Sequence, residues 1–296
     1  MIRVAESERD VARWLDVRNT VFPALALTVA AVLEADRRSP GRRKLLVDEG
    51  GFAIATPTDE EHPDPWLTVG VLPELRRRGL GGALWTAGTQ YLAALGVTRV
   101  RSLSMDGDAD GARFLERRGF GITAREKAFE RDLGVQLPAA PELSAGIAVR
   151  QVPFDGGAEL EQAYALEVET LGDIPGEEDV GMPPFADWMR DVAAEGEPIV
   201  IGAFDGDEMI GMAIVILATV PPGTALHWMT ATRRSYRRRG VARALKHASL
   251  TAAAARGARV ARTFNDSRNA GMRAINEEYG YTPATDLLRW EGPCSG

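Results

Sequence analysis

Two closely similar stretches of the chain combine arginine and glycine in a pattern suited to binding phosphate. Residues 76–84 are RRRGLGGAL and residues 237–245 are RRRGVARAL, which places the two copies 161 residues apart. Glycine lets the backbone approach a ligand closely, and the free N–H groups at the start of a helix bind phosphate oxygens. Arginine adds forked, permanently charged donors. Each stretch is therefore a candidate site for the pyrophosphate of a cofactor.

Two common phosphate-binding loops are excluded by the sequence. No G-x-x-x-x-G-K-[ST] motif occurs, which argues against a P-loop nucleoside triphosphatase. Leu84 stands where a dinucleotide-binding fingerprint starting at Gly79 would place its third glycine. The cofactor is therefore expected to be neither a nucleoside triphosphate in a P-loop nor a nicotinamide dinucleotide.

The same spacing recurs elsewhere in the chain and indicates a tandem repeat. It relates Gly96 to Gly257 and Gly119 to Gly280. A solenoid unit has a period of roughly 20 to 50 residues, so this longer period is typical of a whole domain. We therefore predict two mixed α/β domains, residues 1–133 and 147–296, joined by a proline-containing linker at 134–146. A closing hairpin is predicted at 121–133 and a last strand pair near the end of the second domain.

Composition sets further limits on the function. The chain is 45% hydrophobic and 26% charged, as expected of folded domains, and its net charge of −7 disfavours general nucleic-acid binding. The first residues lack the apolar stretch of a signal peptide, and the longest apolar run, 209–220, is too short to span a membrane. Cys294 is the single cysteine, so no intramolecular disulfide can form. We expect a cytoplasmic protein that binds neither membrane nor metal; the oligomeric state is left open.

Both loops resemble the acetyl-CoA loop of the GNAT acetyltransferases, which has the pattern [QR]-x-x-G-x-[GA] between the fourth strand and the third helix. Arg76-x-x-Gly79-x-Gly81 and Arg237-x-x-Gly240-x-Ala242 match it. The glycine–aromatic pair that follows the fifth strand and the next helix in this superfamily is found at 119–120 and 280–281. The resemblance covers most of both halves. It implies two tandem GNAT-like domains, each with a central mixed, mostly antiparallel sheet flanked by helices.

The resemblance also implies a function, which is the transfer of an acetyl group from acetyl-CoA to a primary amine of a small molecule. In this superfamily a neutral amine attacks the thioester directly. Residues expected to contact acetyl-CoA are Val71, Arg76, Arg77, Arg78, Gly79, Leu80 and Gly81 in the first half, and Thr230, Thr232, Arg237, Arg238, Arg239, Gly240, Val241, Ala242, Asn265 and Asn269 in the second. Asn269 is equally interpretable as a plain N-cap of the helix that follows it.

The second half is expected to be the catalytic one. His227 lies on the strand before its loop, and an ordinary histidine pKa near 6.5 suits a general base. The corresponding residue of the first half is Trp66, which cannot accept a proton. The alternative is that His227 is a half-buried strand residue that hydrogen-bonds a neighbour. We expect the first half to be structural or to bind CoA.

The chain departs from the family pattern at the general acid. Many members carry a tyrosine four residues before the glycine–aromatic pair, but here Leu115 and Asn276 occupy that position. Asn276 can still donate a hydrogen bond to the departing sulfur, whereas Leu115 cannot. We therefore expect Asn276, with His227, to act in the second half.

An acidic segment of the second half is a candidate lip for a cationic amine, or a solvated loop. Its members are Glu167, Glu169, Asp173, Glu177, Glu178 and Asp179. Two other functions stay open. Mycothiol synthase has the same two-domain plan, and a CoA-binding sensor or interaction module without catalysis would tolerate the missing tyrosines.

Overall fold

The computed structural model describes residues 1–47, 50–58, 64–174, 181–266 and 268–295. Its contacts divide the chain into two units, the first formed by Met1–Glu126 with Thr285–Gly296 and the second by Lys127–Ala284. Within the described ranges, no helix combines the length and the apolar character needed to cross a membrane.

The elements are numbered in chain order. The strands are β1 Ile2–Val4, β2 Arg43–Val47, β3 Gly51–Thr56, β4 Trp66–Val71, β5 Arg99–Met105, β6 Gly121–Asp132, β7 Ile147–Val152, β8 Gly196–Asp205, β9 Glu208–Ala218, β10 Thr224–Thr232, β11 Val260–Asp266, β12 Thr282–Pro283 and β13 Leu287–Pro293. The helices are α1 Glu8–Val21, α2 Val29–Arg38, α3 Leu80–Ala94, α4 Ala109–Glu116, α5 Ala158–Leu171, α6 Phe185–Glu195, α7 Val241–Ala255 and α8 Ala270–Glu278.

The sheet of the first unit has the order β1-β2-β3-β4-β5-β13-β6. All neighbours are antiparallel except β4 and β5, which are parallel. Alternate side chains of a strand point to opposite faces, so β2 places Leu45 and Val47 in one buried cluster with Trp85 of α3. Leu46 of the same strand lies in the other cluster, with Trp14 of α1. Helices therefore cover both faces of this sheet.

The sheet of the second unit has the order β6-β11-β10-β9-β8-β7, and β12 pairs with β6. β10 is antiparallel to β9 and parallel to β11. Nearly every residue of β9 is buried, because α7 packs on one face of the sheet and α5 and α6 on the other. The predicted fold class, mixed α/β with a mostly antiparallel sheet and flanking helices, is confirmed in both units.

The ends of the two predicted domains need correction. Residues 121–133 do not form a hairpin, because β6 is one continuous strand. Its residues 121–126 pair with β13 in the first unit, and its later part pairs with β12 in the second. The last residues of the chain therefore complete the sheet of the first unit, whereas the sequence placed them in the second domain. Alternating apolar residues predict that β13 is a strand, but they do not predict which of the two sheets it joins.

The predicted linker at 134–146 lies within the second unit. Leu133, Leu137 and Leu143 pack against the buried cluster of that unit that includes Leu245 and Ala253 of α7. The prolines and alanines of this segment predicted a spacer, but Leu137 and Leu143 within it, and Leu133 just before it, give it an apolar side that can be buried. The segment is therefore attached to the second unit by hydrophobic contacts.

Trp290 tests the placement of β13. Its side chain is 2% exposed and its indole N–H donates to Ser104 Oγ at 2.9 Å. We expect Trp290→Ala to destabilise the first unit by about 3–5 kcal/mol, the usual cost of removing a buried aromatic side chain. The measurement is limited proteolysis in increasing urea, with the cleaved peptides identified by mass spectrometry.

Ile122→Ala is the matched control, because Ile122 pairs with Trp290 in register but is 52% exposed. It should change stability by less than about 0.5 kcal/mol. If Trp290→Ala exposes residues 127–284 to the protease while residues 1–126 stay protected, the placement of β13 is wrong.

Candidate functional site

The two arginine–glycine loops have the same backbone conformation. Arg77 and Arg238 have φ of 61° and 64°, and Gly79 and Gly240 have φ of 84° and 83°. A positive φ is uncommon for a residue other than glycine, and such residues concentrate where a ligand is bound. Successive backbone N–H groups of a turn that contains left-handed residues can form an anion-binding concavity.

Each loop leads directly into the start of a long helix. Gly79 is the N-cap of α3 and Gly240 that of α7, and neither helix has a side-chain cap. The first N–H groups of both helices are therefore available to an anion, as the sequence predicted. Gly81 and Ala242, the second residues of the two helices, are small enough to leave room above these groups.

Arginine side chains hold both loops in place. Arg76 Nε donates to the Val71 carbonyl at 3.2 Å, and Arg237 Nε donates to the Thr232 carbonyl at 3.1 Å. These two contacts occupy corresponding positions of the repeat. The first arginine of each triplet therefore fixes its loop to the end of the preceding strand.

The same arginines are also ion-paired. Arg76 contacts Asp108 at 3.1 Å and Arg77 contacts Asp110 at 3.0 Å, so the Arg77 guanidinium lowers the pKa of Asp110. In the second unit Asp173 binds Arg234 and Arg237, each at 2.5 Å. These two guanidinium groups lower the pKa of Asp173 to about 2. A pyrophosphate bound by these arginines would compete with the carboxylates.

The remaining arginines of the triplets lie beside their loops. Arg78 donates to the Glu74 carbonyl at 3.2 Å, and the Arg239 guanidinium lies 5.0 Å from the centre of the Tyr236 ring. Leu80, the first residue of α3, is half-buried, and Val241, the first residue of α7, is buried. The loop residues predicted to bind the cofactor are therefore brought together in each unit.

Beyond each loop, two parallel strands separate. β4 and β5 are paired at Trp66 and Arg101, and β10 and β11 are paired from Thr224 to Leu226. Past these positions the strands diverge, so their facing backbone groups leave the hydrogen-bonded ladder. Each unit thus has a gap between parallel strands that opens next to a helix N-terminus.

The gap of the first unit opens into a cavity of about 560 Å³. This is within the range of roughly 300–1,000 Å³ typical of ligand pockets. Its inner wall is apolar and aromatic, with Trp85, Phe114 and Leu115, and its mouth holds the arginine loop. Its two lining carboxylates, Asp108 and Asp110, are paired with loop arginines.

In the second unit the edge of the gap carries His227. β10 changes register against β9 between His227 and Met229, which is a β-bulge of the kind often found beside active sites. His227 Nε2 is 2.9 Å from Thr230 Oγ1, and its Nδ1 is buried without a hydrogen-bond partner among the described residues. The imidazole is therefore held by one nitrogen and presents the other.

The expectation of an ordinary pKa for His227 is wrong. Burial, together with the nearby ammonium group of Lys246, lowers the pKa of His227 well below its usual value. The imidazole is therefore neutral at neutral pH and is a weaker base than the sequence suggested. It remains a good hydrogen-bond acceptor.

The predicted asparagines and threonines are found around the same gap. Asn276 is fully buried and its side-chain nitrogen donates to Asn265 Oδ1 at 2.6 Å, while its own Oδ1 has no partner among the described residues. Thr232 Oγ1 is likewise buried without a partner there. Asn269 accepts a hydrogen bond from the Met272 N–H at 3.2 Å and is the N-cap of α8. For Asn269 the capping interpretation is therefore the one observed.

Comparison with known proteins agrees with this geometry. The family model of the GNAT acetyltransferases matches residues 4–120 and again residues 160–281. The chain belongs to the GNAT acetyltransferase family. Members of the family generally use acetyl-CoA.

Two solved structures of GNAT proteins are similar to this chain over its whole length. A tandem GNAT protein of the clavulanic acid biosynthesis pathway, solved without acetyl-CoA, has a TM-score of 0.78 at 20% identity and covers 100% of this chain and 99% of that one. A GCN5-related N-acetyltransferase from Sphaerobacter thermophilus has a TM-score of 0.70 at 18% identity, covering 100% and 96%. These similarities show the fold.

A curated relative, the mycothiol acetyltransferase of Gordonia bronchialis, is 30% identical over 157 residues. The match covers 51% of this chain and 49% of that protein. The chain thus spans about half the length of the curated relative that it matches.

Lys246 is a buried charged residue of the second unit that the sequence analysis did not single out. It lies on α7, is 1% exposed, and its ammonium nitrogen is 5.0 Å from the centre of the Tyr281 ring. Burial lowers the pKa of Lys246 to about 7. The repeat itself could have revealed it, because the same spacing pairs Lys246 with Trp85, just as it pairs His227 with Trp66.

The acidic lip is also different from the expectation. Glu167 is buried, Glu169 lies 3.6 Å from Arg233, and Asp173 is bound by two arginines. These three carboxylates are therefore buried or ion-paired within the second unit and do not form an open acidic surface. Glu177, Glu178 and Asp179 lie outside the described residues.

The loop of the second unit is also contacted by the segment at 134–146. Leu143 Cδ2 lies 3.6 Å from the position that a Cβ would take at Gly240, whereas nothing lies within 4 Å of that position at Gly79. The first loop of this GNAT chain is therefore the more open of the two.

Glu167 gives a test of the electrostatics near the β-bulge. Trp188 donates to Glu167 Oε2 at 3.2 Å and Trp228 also hydrogen-bonds the carboxylate, but burial outweighs both bonds and raises the pKa of Glu167 to about 7. The folded protein then binds this proton more tightly than the unfolded chain does. The resulting stabilisation is complete below about pH 4.5 and is lost as pH rises through about 7.

We therefore expect Glu167→Gln, which stays neutral and can still accept from the tryptophans, to gain stability over wild type as pH rises from 5 to 8. The gain should approach roughly 3 kcal/mol. Urea unfolding at a series of pH values measures it, with the half-exposed Glu169→Gln as the control. A difference between Glu167→Gln and wild type that is constant with pH would contradict this account.

Proposed function

We propose that the protein transfers an acetyl group from acetyl-CoA to a primary amine of a small molecule, that the second unit carries out the reaction, and that the first unit binds acetyl-CoA without turning it over. His227 and Asn276 are the groups assigned to the reaction centre.

The proposal is based mainly on one observation. The two gaps have the same backbone frame, but the side chains at matched positions differ in polarity. Positions that are polar in the second unit are apolar, or less polar, in the first. The matched pairs, first unit then second, are Trp66 and His227, Val69 and Thr230, Trp85 and Lys246, Ser104 and Asn265, Leu115 and Asn276, and Phe120 and Tyr281. Amide synthesis needs groups that accept and donate protons, so the second unit is the better candidate for catalysis.

The residues of the second unit suit each part of the reaction. The Nδ1 atom of neutral His227 can accept a hydrogen bond from the substrate amine and orient its lone pair toward the thioester carbonyl. The Asn276 amide nitrogen has a second N–H besides the one given to Asn265, and this can stabilise the departing thiolate. The N-terminus of α7 would hold the pyrophosphate. Orientation of the two substrates supplies much of the rate.

The first unit suits binding without chemistry. Its cavity has the arginine loop at the mouth and an aromatic inner wall formed by Trp85 and Phe114. Leu115 can neither accept nor donate a proton, and the Trp66 indole cannot accept one. Acetyl-CoA in this cavity would be held by the same loop contacts and left intact.

Two alternatives have specific support. The curated relative is named a mycothiol acetyltransferase, so acetylation of the corresponding acceptor is the first. The second is a CoA-binding sensor or interaction module, because the open cavity lies in the first unit while Leu143 lies beside Gly240 in the second. In that case acetyl-CoA binds and no acetyl group is transferred.

The loop variants Gly81→Glu and Ala242→Glu test the proposal as a matched pair. Both positions are helical, so a side chain causes less strain there than at Gly79 or Gly240, whose φ is positive. At Gly81 an added Cβ meets only ordinary contacts with Phe114 and Val71. In each variant the new carboxylate should repel the pyrophosphate of one unit.

Two assays are compared, calorimetric titration with acetyl-CoA and release of free thiol in the presence of a panel of amines that includes the mycothiol precursor. We expect each variant to lose one binding event. Ala242→Glu should lower thiol release by about 10²-fold or more, and Gly81→Glu should leave it within about threefold of wild type.

The opposite pattern would place catalysis in the first unit. Binding by wild type without thiol release from any amine would support the sensor. No binding at all would remove acetyl-CoA from the proposal.

A further inference from the structure

We propose that Lys246 is the proton acceptor of the reaction, taking the proton that the substrate ammonium must lose before its nitrogen attacks acetyl-CoA. This inference rests on the proposed function and names the base within the second unit. His227 then acts as a neutral hydrogen-bond acceptor beside it.

Lys246 lies on α7, which shares a buried cluster with Ala225 of β10. Its ammonium group is close enough to His227 to lower the pKa of that imidazole, and His227 follows the last residue of β10 that is paired with β11. On another side Lys246 faces the ring of Tyr281. The amine is therefore next to the place where the two parallel strands begin to separate.

Lys246 has no counter-ion in the described part of the chain. No carboxylate and no hydrogen-bond acceptor contacts its nitrogen there, and this nitrogen faces the Tyr281 ring. A buried ammonium without a counter-ion is costly, and an apolar side chain would pack at this position at less cost. Trp85 does so at the matched position of the first unit. A lysine here lowers stability, a pattern typical of functional groups.

Other unpaired polar atoms are buried near this amine. His227 Nδ1 and the Tyr281 hydroxyl have no hydrogen-bond partner among the described residues, and neither does Asn276 Oδ1. The Tyr281 N–H donates to the Asn276 carbonyl at 3.0 Å, which links these two residues directly. Buried polar atoms are normally paired, so this set of acceptors and donors suits a polar ligand such as an amine.

The charged groups around Lys246 leave it to titrate by itself. His227 faces it from β10, and Tyr281 faces it from the segment after α8, with Arg131 of β6 acting on the Tyr281 hydroxyl. Burial raises the pKa of Tyr281, and that of His227 is lowered, so both are neutral while Lys246 titrates. Charged side chains on the other strands packed near α7 have their own partners: Arg150 with Glu159, Glu197 with Arg256, Asp205 with Tyr236 and Glu208 with Arg233.

The pKa of about 7 that burial gives Lys246 matches a proton acceptor working at neutral pH. Below that pH Lys246 is an ammonium and cannot take a proton, and above it the free amine can. The activity should therefore rise with pH through about 7. His227, whose pKa is much lower, would give a profile already flat at this pH.

Lys246 Nζ takes one proton from R–NH₃⁺ and becomes an ammonium. The substrate nitrogen then forms the C–N bond to the acetyl carbon, and the C–S bond breaks with its electron pair staying on sulfur. The second proton of the amine passes to the thiolate, giving free CoA thiol and the amide. Lys246 returns its proton to solvent when the products leave.

The test compares pH–rate profiles of Lys246→Met, Lys246→Arg and His227→Ala with wild type, using thiol release from an amine accepted by wild type. We expect Lys246→Met to lower kcat by about 10²-fold or more, with the inflection near pH 7 lost. Lys246→Arg should be equally impaired, because arginine keeps the charge but does not release a proton. His227→Ala should be slower than wild type and keep the inflection.

Folding and binding are controlled separately. Lys246→Met should unfold at a temperature no lower than wild type, since it replaces an unpaired buried ammonium, and its affinity for acetyl-CoA should change less than about twofold. His247→Gln removes the neighbouring titratable group of α7 and should match wild type in rate and profile.

Loss of the inflection in His227→Ala, with the inflection kept in Lys246→Met, would overturn the inference and return the base to His227. So would full activity in Lys246→Arg, which would show that the charge alone is needed. If wild type releases no thiol with any amine, the proposed function fails and this inference with it. Activity in wild type with an unchanged Lys246→Met overturns the inference alone.

Discussion

The separation of two parallel strands is the constraint on which both sites depend. In each unit one strand pairs with its parallel neighbour over at most three residues and then turns away, while its other edge stays hydrogen-bonded to an antiparallel partner. The divergence releases backbone groups from the ladder beside the N-terminus of a long helix. Backbone N–H groups, the helix dipole and a gap between strands are thereby placed together, whatever side chains line the gap.

The loops add a second feature that is independent of the lining. Arg77, Gly79, Arg238 and Gly240 have left-handed backbone conformations, and the first arginine of each triplet fixes the loop to the preceding strand. This arrangement is the same in both units. The loop frame is therefore duplicated, and a difference in function between the units has to come from the residues that face the gap.

The residues that face the gap are mostly apolar in the first unit and mostly polar in the second. Apolar residues there favour stability, whereas polar residues favour proton chemistry. The first unit fills the positions with tryptophan, leucine and phenylalanine, which pack well and do no proton chemistry. The second unit buries a lysine, an asparagine and a tyrosine and half-buries a histidine, several with an atom unpaired among the described residues. Buried polar groups without partners lower stability. The second unit is therefore less well packed at these positions than the first, but its side chains there can donate or accept protons.

Much of this could be predicted from the sequence because the repeat marks it. The arginine–glycine loops, their place before a long helix, the fold class and the location of His227 and Asn276 all follow from motifs and spacing. The pairing of β13 could not be predicted, because alternation of apolar residues does not choose between two sheets. The pKa of His227 depends on burial and on a lysine 19 positions away in sequence, and the carboxylates bound to the loop arginines come from other helices and loops.

Lys246 was missed for a different reason. A lysine on a long helix normally extends into solvent, and only comparison with the tryptophan at the matched position indicates that it points inward. The same comparison could be applied to the whole chain, since it separates the positions that maintain the shared frame from those in which the units differ.

The most direct test of the central claim, that one unit reacts and the other only binds, is a crystal structure of the protein grown with acetyl-CoA. The account predicts pyrophosphate at the N-termini of both α3 and α7. It also predicts a thioester between β10 and β11, next to His227 and Lys246, while the thioester of the first unit lies against Trp85 and Leu115. A structure with acetyl-CoA in the first unit alone, and the 134–146 segment still covering Gly240 in the second, would contradict it.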